Sequence, residues 1–482
     1  MHLTLIIKIL GMLLMVFSIT MLPPVLVAWI YDDGLELPFL SAFAITFATG
    51  MTLWMMFFRV REELGVRDGF LVVTLFWTVL GLIGSLPFIL ILEISLTDAV
   101  FESMSGLTTT GASVLSGLDF LAPSLLYYRQ QLQWLGGMGV VVLAVAILPM
   151  LGVGGMQLYK AEIPGPMKES KLTPRIAETA KALWYVYLTV TVACATGYWL
   201  AGMSIFEAIC HSFSTVSTGG FSTRDASMAA FDSAAIDWVA AFFMFFSGAS
   251  FALMFAALRR GSIKTFFRDP EFRFYTGLMF IYVVIATVTL WIDQRYDSFE
   301  ETARHAAFQV ASFGTGTGLS STDATVSWPM TLLILLVFTS FISGCAGSTT
   351  AGMKVVRVAL MFHQSQRELR KLIYPHGIFA LRFGRRTVND QVLQSVWGFI
   401  GVFVTIAVLL TLAMMATGMD LTTAFSAVAA ALNTLGMGVG GVSGGFGDIA
   451  TEAKWLMCFA MLLGRLEVFT ILVLFTPVFW RQ

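Results

Sequence analysis

Four short runs, Thr109-Thr110-Gly111, Ser217-Thr218-Gly219, Gly316-Thr317-Gly318 and Thr434-Leu435-Gly436, carry the residue types with which a protein can coordinate a bare cation. Glycine reaches positive φ and so lets successive carbonyls be aimed to one side. A row of such oxygens can replace an ion's hydration shell. Threonine and serine hydroxyls can cap or brace the row. The closing glycines, Gly111, Gly219, Gly318 and Gly436, are 108, 99 and 118 residues apart. A unit of about a hundred residues that recurs four times would let one chain supply the four walls of a single ion filter. Leu435 makes the fourth run the least polar, so the ring is not expected to be fourfold symmetric.

Each run follows a segment too short to cross a bilayer: 97–107, 204–215, 300–313 and 420–432. Crossing takes about 20 residues. Hydroxylated or acidic residues open all four segments (Thr97 and Asp98, Ser204 and Glu207, Glu300 and Glu301, Asp420 and Thr422), as suits a helix N-terminus. Four helices that enter the membrane and stop there aim their C-terminal partial negative charge at a common axis, which favours a cation. The loops beyond them are expected to face that axis, because non-helical backbone at membrane depth is tolerated only when buried in protein or lining water.

The rest of the chain has the composition to hold such elements. With 57% hydrophobic and 12% charged residues, it departs from soluble domains, which have about 45–50% and about 25%, and reads as an all-α polytopic membrane protein. Apolar runs near spanning length lie at 3–30, 38–58, 69–92, 133–151, 182–200, 238–258, 274–291, 328–361, 392–416 and 455–479. The predicted fold is therefore ten transmembrane helices plus four re-entrant pore helices, arranged as pseudo-fourfold span-loop-span repeats. Residues 1–68 form two helices outside the pore, and 69–181, 182–273, 274–390 and 391–482 form repeats 1 to 4. The first run is too long, and lacks a small-residue cleavage site before Asp32 and Asp33, to read as a removable signal peptide.

Charge sets the orientation. Of the 29 Lys and Arg, 23 are Lys8, Arg481 or members of 59–67, 160–181, 259–273 and 354–386, so those loops and both termini are expected on the cytoplasmic side. The opposite face carries Asp32, Asp33, Glu36, Glu93, Asp98, Asp119, Glu207, Asp225, Asp232, Asp297, Glu300, Glu301, Asp323, Asp448 and Glu452 against few bases. An acidic vestibule of this kind gathers cations from solution.

Other chemistries find little support. Cys194, Cys210, Cys345 and Cys458 are scattered without metal-ligand spacing and read as small buried residues. His211 lies four residues after Glu207 but has no third ligand nearby; it and His305 read as polar packing. The stretch from Gly347 to Lys354 imitates a phosphate loop, yet Met353 intervenes and no strand precedes it. Gly314, Gly316 and Gly318 lack the βαβ setting of a dinucleotide site. No HExxH or nucleophile elbow occurs, so an enzyme is not expected.

Two features inside the spans are unusual. The run 328–361 is too long for one straight helix and is interrupted by Ser343-Gly344-Cys345-Ala346-Gly347-Ser348-Thr349-Thr350-Ala351-Gly352. Such a break is either a loop beside a cavity or a kinked packing helix. Arg465 and Glu467 lie within the last span, where an arginine costs roughly 2.5–3.5 kcal/mol. Residues two apart on a helix face different ways, which argues against a direct pair.

Nearly end to end, the chain resembles the Trk potassium uptake family of TrkH type, a branch of the superfamily that includes KtrB and the plant HKT transporters. The resemblance is carried by Gly136-Gly137-Met138-Gly139 with Leu143-Ala144, Glu162-Ile163-Pro164-Gly165-Pro166, Leu172-Thr173-Pro174-Arg175, Gly344-Cys345-Ala346-Gly347-Ser348-Thr349 and Gly464-Arg465-Leu466-Glu467. It implies K⁺ as the transported ligand, since glycine at the key filter position of all four units goes with K⁺ and serine in the first unit with Na⁺. It also implies an intramembrane gate loop (Gly344, Cys345, Ala346, Gly347, Ser348, Thr349, with Lys354) and an electrostatic barrier at Arg465. A homodimer with one pore per subunit in the bacterial inner membrane is implied as well. So is a cytoplasmic TrkA-like regulatory partner, with any nucleotide (NAD or ATP) on that partner and no covalent cofactor here. No nucleic acid is expected to bind. A K⁺ symporter coupled to H⁺ or Na⁺ is the alternative, although its usual signature is inverted repeats broken at the midplane.

Overall fold

The computed structural model describes residues 2–60, 65–142, 172–377, 379–384 and 386–481. Among them, six helices are long and apolar enough to cross a bilayer: Leu3–Tyr31, Glu36–Met56, Arg67–Leu92, Ala180–Leu200, Pro270–Ile292 and Asp390–Ala416. Two further pairs reach that length only together. Ala234–Ser247 and Phe251–Arg260 meet at 99°, and Thr451–Arg465 and Phe469–Phe475 at 106°. The described residues thus give up to eight spans where ten were expected. Of the other two, 133–151 leaves the described residues after Val142, and 328–361 is two helices, Met330–Phe341 and Val355–Ile373.

A division of labour emerges along each repeat. The first span reaches membrane length by itself in all four, as two successive helices, Val66–Ile83 and Leu86–Leu92, in repeat 1, whereas the second is bent or broken in repeats 2, 3 and 4. In repeat 4 the bend places Glu467 and Val468 at φ 54° and 46°, and positive φ is strained for a β-branched residue. The two N-terminal helices cross closely where Gly11 meets Gly50; a Cβ on either would lie 2.7 Å from the other's carbonyl oxygen.

The half-length helices are Leu96–Leu107, Ile205–Ser217, Phe299–Thr315 and Leu421–Leu432, of 12, 13, 17 and 12 residues. Their N-terminal chemistry is repeated. The side chains of Ser95, Ser204, Ser298 and Asp420 accept from the N–H of Asp98, Glu207, Glu301 and Thr423, satisfying a donor that the first turn leaves unpaired.

Two apolar clusters flank these helices. One joins the N-terminal helices with repeats 1 and 4, through Phe39, Trp77, Phe101, Leu132, Phe403 and Met457. The other joins repeats 2 and 3, through Tyr187, Val216, Met244, Phe272, Phe313 and Leu336. The hydroxyl-rich runs are buried where the repeats converge: Thr109, Thr110, Ser217, Thr218, Thr317 and Thr434 are all fully inaccessible.

Candidate functional site

The loops that follow the half-length helices share one backbone design. The N–H groups of Thr110, Gly219, Thr317 and Leu435 each donate to a carbonyl five residues earlier, on Ser105, Ser214, Ser312 and Ala430, at 2.8 Å in every unit. The preceding residues have positive φ: 54° at Thr109, 54° at Thr218, 68° at Gly316 and 50° at Thr434. So do the following ones, at 82° for Gly111, 82° for Gly220, 79° for Gly318 and 74° for Gly436. Alternating the sign of φ turns successive peptide planes so that neighbouring carbonyls can share a side.

This corrects the register of the second unit. Gly220, not Gly219, is the counterpart of Gly111, Gly318 and Gly436; Gly219 corresponds to Thr110, Thr317 and Leu435. Spacing could not choose between two adjacent glycines, whereas the shared hydrogen bond and the sign of φ do. With that register the loops form a closed ring. A Cβ added at Gly111 would run into the Gly219 oxygen, at Gly220 into that of Thr317, at Gly318 into that of Leu435, and at Gly436 into that of Thr110. Unit 1 therefore abuts unit 2, 2 abuts 3, 3 abuts 4, and 4 abuts 1.

Polar braces hold the ring from behind. Nine residues before the ring glycine stand Glu102, His211 and Gln309, and each bonds the serine two residues after it. Ser113 donates to Glu102 at 3.1 Å, His211 Nε2 lies 3.0 Å from Ser222 Oγ, and Gln309 Nε2 donates to Ser320 at 2.7 Å. Unit 4 has Ala427 and Gly438 at those positions, and there Ser426 instead bonds both the N–H and the carbonyl of Val439, at 3.0 and 2.8 Å. Arg129 links two units. It donates to Glu102 at 2.6 and 2.8 Å and to the Ser222 carbonyl at 3.1 Å, with its guanidinium 4.2 Å from the Phe221 ring centre.

Sequence reasoning missed Glu102 and the pair it forms, although an ionisable residue in an intramembrane helix was signal enough. His211 also bonds the Glu207 carbonyl, and His305 bonds Ser321. No cluster of three or more potential metal ligands occurs among the described residues.

The interruption at 344–352 lies against this ring. Ile342–Ser343 pairs in parallel with Met353–Lys354, so the chain leaves one helix, loops and returns beside itself. Cys345 N–H donates to the Gly248 carbonyl at 2.7 Å, and Phe251 N–H donates to that of Gly347 at 3.1 Å, which fits the loop into the bend of repeat 2. Ala346 N–H donates to Glu271 at 2.7 Å. Thr349 Oγ1 lies 3.2 Å from Thr218 Oγ1 and donates to the Val216 carbonyl at 3.3 Å, directly behind the second run. Ser348 and Thr350 share a 2.8 Å hydroxyl contact, and Lys354 Nζ donates to the Thr350 carbonyl and, at 3.1 Å, to its hydroxyl.

Arg465 is buried against the same loop. Its Nη1 donates to the Thr349 carbonyl at 2.8 Å and its Nη2 to that of Gly136 at 3.0 Å, joining repeats 1, 3 and 4. Glu467 pairs with Arg357 at 2.6 Å, so neither residue partners the other. On the acidic face, Arg224 pairs with Glu207 and Asp119 at 2.6 and 3.0 Å, and Lys454 with Asp98 at 2.6 Å. The Arg224 guanidinium holds the Asp119 carboxyl below its usual range. Leu172 to Arg175 opens the helix Leu172–Leu200, while Lys160, Lys168, Lys171, Leu143-Ala144 and the motif at 162–166 lie outside the described residues.

The chain matches the TrkH family, described as cation transport proteins, over residues 37–481. It is 52% identical over 484 residues to the Trk system potassium uptake protein TrkH of Halomonas elongata and 50% identical to that of Escherichia coli K12, in both cases over 100% of each chain. The TrkG protein of E. coli K12 is 39% identical over 98% of this chain and 97% of its own. The crystal structure of the potassium transporter TrkH from Vibrio parahaemolyticus superposes with a TM-score of 0.93 at 48% identity, covering 100% of both chains.

Proposed function

Since the chain belongs to the TrkH family of cation transport proteins, we propose that it takes up potassium across the bacterial cytoplasmic membrane through a pore along the axis of the four-loop ring. The observation that carries this reading is ring closure: four glycines at matched φ, each abutting a carbonyl of the next unit. The filter comprises Thr109 to Gly111, Thr218 to Gly220, Gly316 to Gly318 and Thr434 to Gly436, with Ser217 supporting the second unit. All four key positions are glycine.

The segment Gly344 to Thr349, with Lys354, acts as the gate, and Arg465 places a positive charge on it while tying it to the Gly136 carbonyl. Opening requires those two hydrogen bonds and the contacts of Thr349 with repeat 2 to be released. Inward movement of one charge gains roughly 2.3 kcal/mol per 100 mV, enough for about fifty-fold accumulation without chemical coupling. The working assembly is a homodimer with both termini in the cytoplasm, regulated there by a TrkA-like protein that carries the nucleotide.

Purified protein in proteoliposomes tests the reading. Current should reverse at the K⁺ equilibrium potential whatever the pH, with Rb⁺ permeant and Na⁺ poorly so. A reversal that moves with pH or with the Na⁺ gradient would replace the pore with a coupled symporter.

A further inference from the structure

Unit 2 differs from its three counterparts at the position before the ring glycine. Units 1, 3 and 4 carry Thr110, Thr317 and Leu435 there, whereas unit 2 carries Gly219. Gly219 is not in the left-handed region, so its backbone would accept a side chain without strain. What excludes one is space. A Cβ at Gly219 would lie 2.5 Å from Cδ, 2.6 Å from Oε1 and 2.9 Å from Nε2 of Gln133, closer than real contacts allow.

Gln133 belongs to the helix Pro123–Val142 of unit 1 and is fully buried. Both ends of its carboxamide are used by the loop of unit 2. Nε2 donates to the Gly219 carbonyl at 2.6 Å and Oε1 accepts from Phe221 N–H at 3.1 Å, while Ser214 Oγ, which also lies 2.6 Å from the Phe221 carbonyl, is 2.8 Å from Oε1. The Gly219 oxygen is the one that abuts Gly111 in the ring. Among the described residues, no side chain donates to the matching carbonyls of Thr110, Thr317 and Leu435.

We infer that Gln133 is a positioning residue of the ion pathway, supplying from unit 1 the side chain that unit 2 lacks at Gly219 and fixing the Gly219 carbonyl through its amide. This rests on the reading of the ring as a K⁺ filter. A carbonyl that already accepts a hydrogen bond is held in place, so it resists closing around a smaller ion such as Na⁺, and it offers the ion less of its lone-pair density. The ring is thereby asymmetric in a defined unit, for a reason that lies in a neighbouring helix.

The test uses full-length protein in proteoliposomes, reading Rb⁺ against Na⁺ flux, together with the melting temperature of detergent-solubilised protein in K⁺ and in Na⁺. Gln133→Ala, and Gln133→Met, which keeps the volume but makes none of these hydrogen bonds, should each lower K⁺ over Na⁺ discrimination by about tenfold and shrink the K⁺-specific rise in melting temperature. Adding Gly219→Thr to Gln133→Ala gives unit 2 the residue of units 1 and 3 in the vacated space and should recover discrimination. Gly219→Thr alone should lose it. Wild-type discrimination in Gln133→Met, or a double variant worse than Gln133→Ala, overturns the inference. If Gln133→Ala does not fold, Gln133→Met decides it, because a purely packing role lowers melting equally in both ions. The underlying reading has a separate control: a wild-type protein without K⁺ preference, or one indifferent to Gly318→Ser, removes the filter itself. A selective protein sensitive at Gly318 and indifferent at Gln133 removes only the role of Gln133.

Discussion

At Gly111, Gly220, Gly318 and Gly436 one added carbon would meet a carbonyl oxygen of the next unit while its backbone sits at φ between 74° and 82°. A side chain there is disfavoured twice, by conformation and by contact. Serine at any of the four should therefore reduce K⁺ over Na⁺ discrimination by about tenfold, measured as relative Rb⁺ and Na⁺ flux, and Gly220→Ser should behave like the other three. Unchanged selectivity at Gly220 would count against the register. Behind the ring, Arg129→Met leaves the Glu102 carboxylate buried without its partner, and breaking such a pair costs about 3–5 kcal/mol. The melting temperature should fall by several degrees, and adding Glu102→Gln should recover part of the loss. The hydroxyl-glycine runs were legible in the sequence because residue type alone carries that chemistry. The choice of Gly220 over Gly219 was not, because it depends on where helix Ile205–Ser217 ends and which peptide turns next.

The half-length helices were legible as elements from an apolar stretch shorter than a span and from polar residues at its start, which included the caps Ser204 and Asp420, whereas the caps Ser95 and Ser298 lie two residues before the predicted starts. Their caps also make a prediction. Hydrogen bonds from Thr423, on its side chain and backbone, hold the Asp420 carboxyl below its usual range. That cap is therefore fully present above the ordinary carboxylate range and is lost as pH falls through the depressed folded value. Ser95, Ser204 and Ser298 do not titrate there, so acid removes the capping group itself only in unit 4, while in units 1 and 2 it acts through the ion-paired Asp98, Asp119 and Glu207. Asp420→Ser should remove that part of the acid sensitivity, read as melting temperature between about pH 5 and about pH 2. Arg465 acts at the junction of elements, bridging the loop after Phe341 to the helix Pro123–Val142. Arg465→Ala should raise K⁺ flux several-fold at equal expression; unaltered flux would make the residue a packing charge. The bends in the second spans of repeats 2 and 4 could not be read ahead, whereas the break in repeat 3 was legible from its length and its run of small residues. A run such as 238–258 is continuously apolar, and hydropathy records that a segment is buried, not the direction in which it travels.

On the scale of the whole molecule, four unequal repeats close one ring between two apolar clusters. Closure makes each unit's loop depend on its neighbour, which is why Gln133 and Arg129 of repeat 1 serve the loop of repeat 2. The third repeat differs outwardly, with a half-length helix of 17 residues against 12 or 13 in the others. Its loop nevertheless enters the ring in the same register. The four turns thus share one backbone conformation although their residues differ and the helices that lead to them differ in length.

The sequence by itself determined the membrane class, the four helix-loop units and the residue types that face one another, because composition, capping and local conformational preference act within a few residues. Only the tertiary structure decided which of two adjacent glycines joins the ring, where Arg465 and Glu102 find partners, and that a glutamine from one repeat fills the place of a missing side chain in the next. Those outcomes are set by contacts between segments tens to hundreds of residues apart. Local preference leaves several nearly equal solutions, and packing selects one.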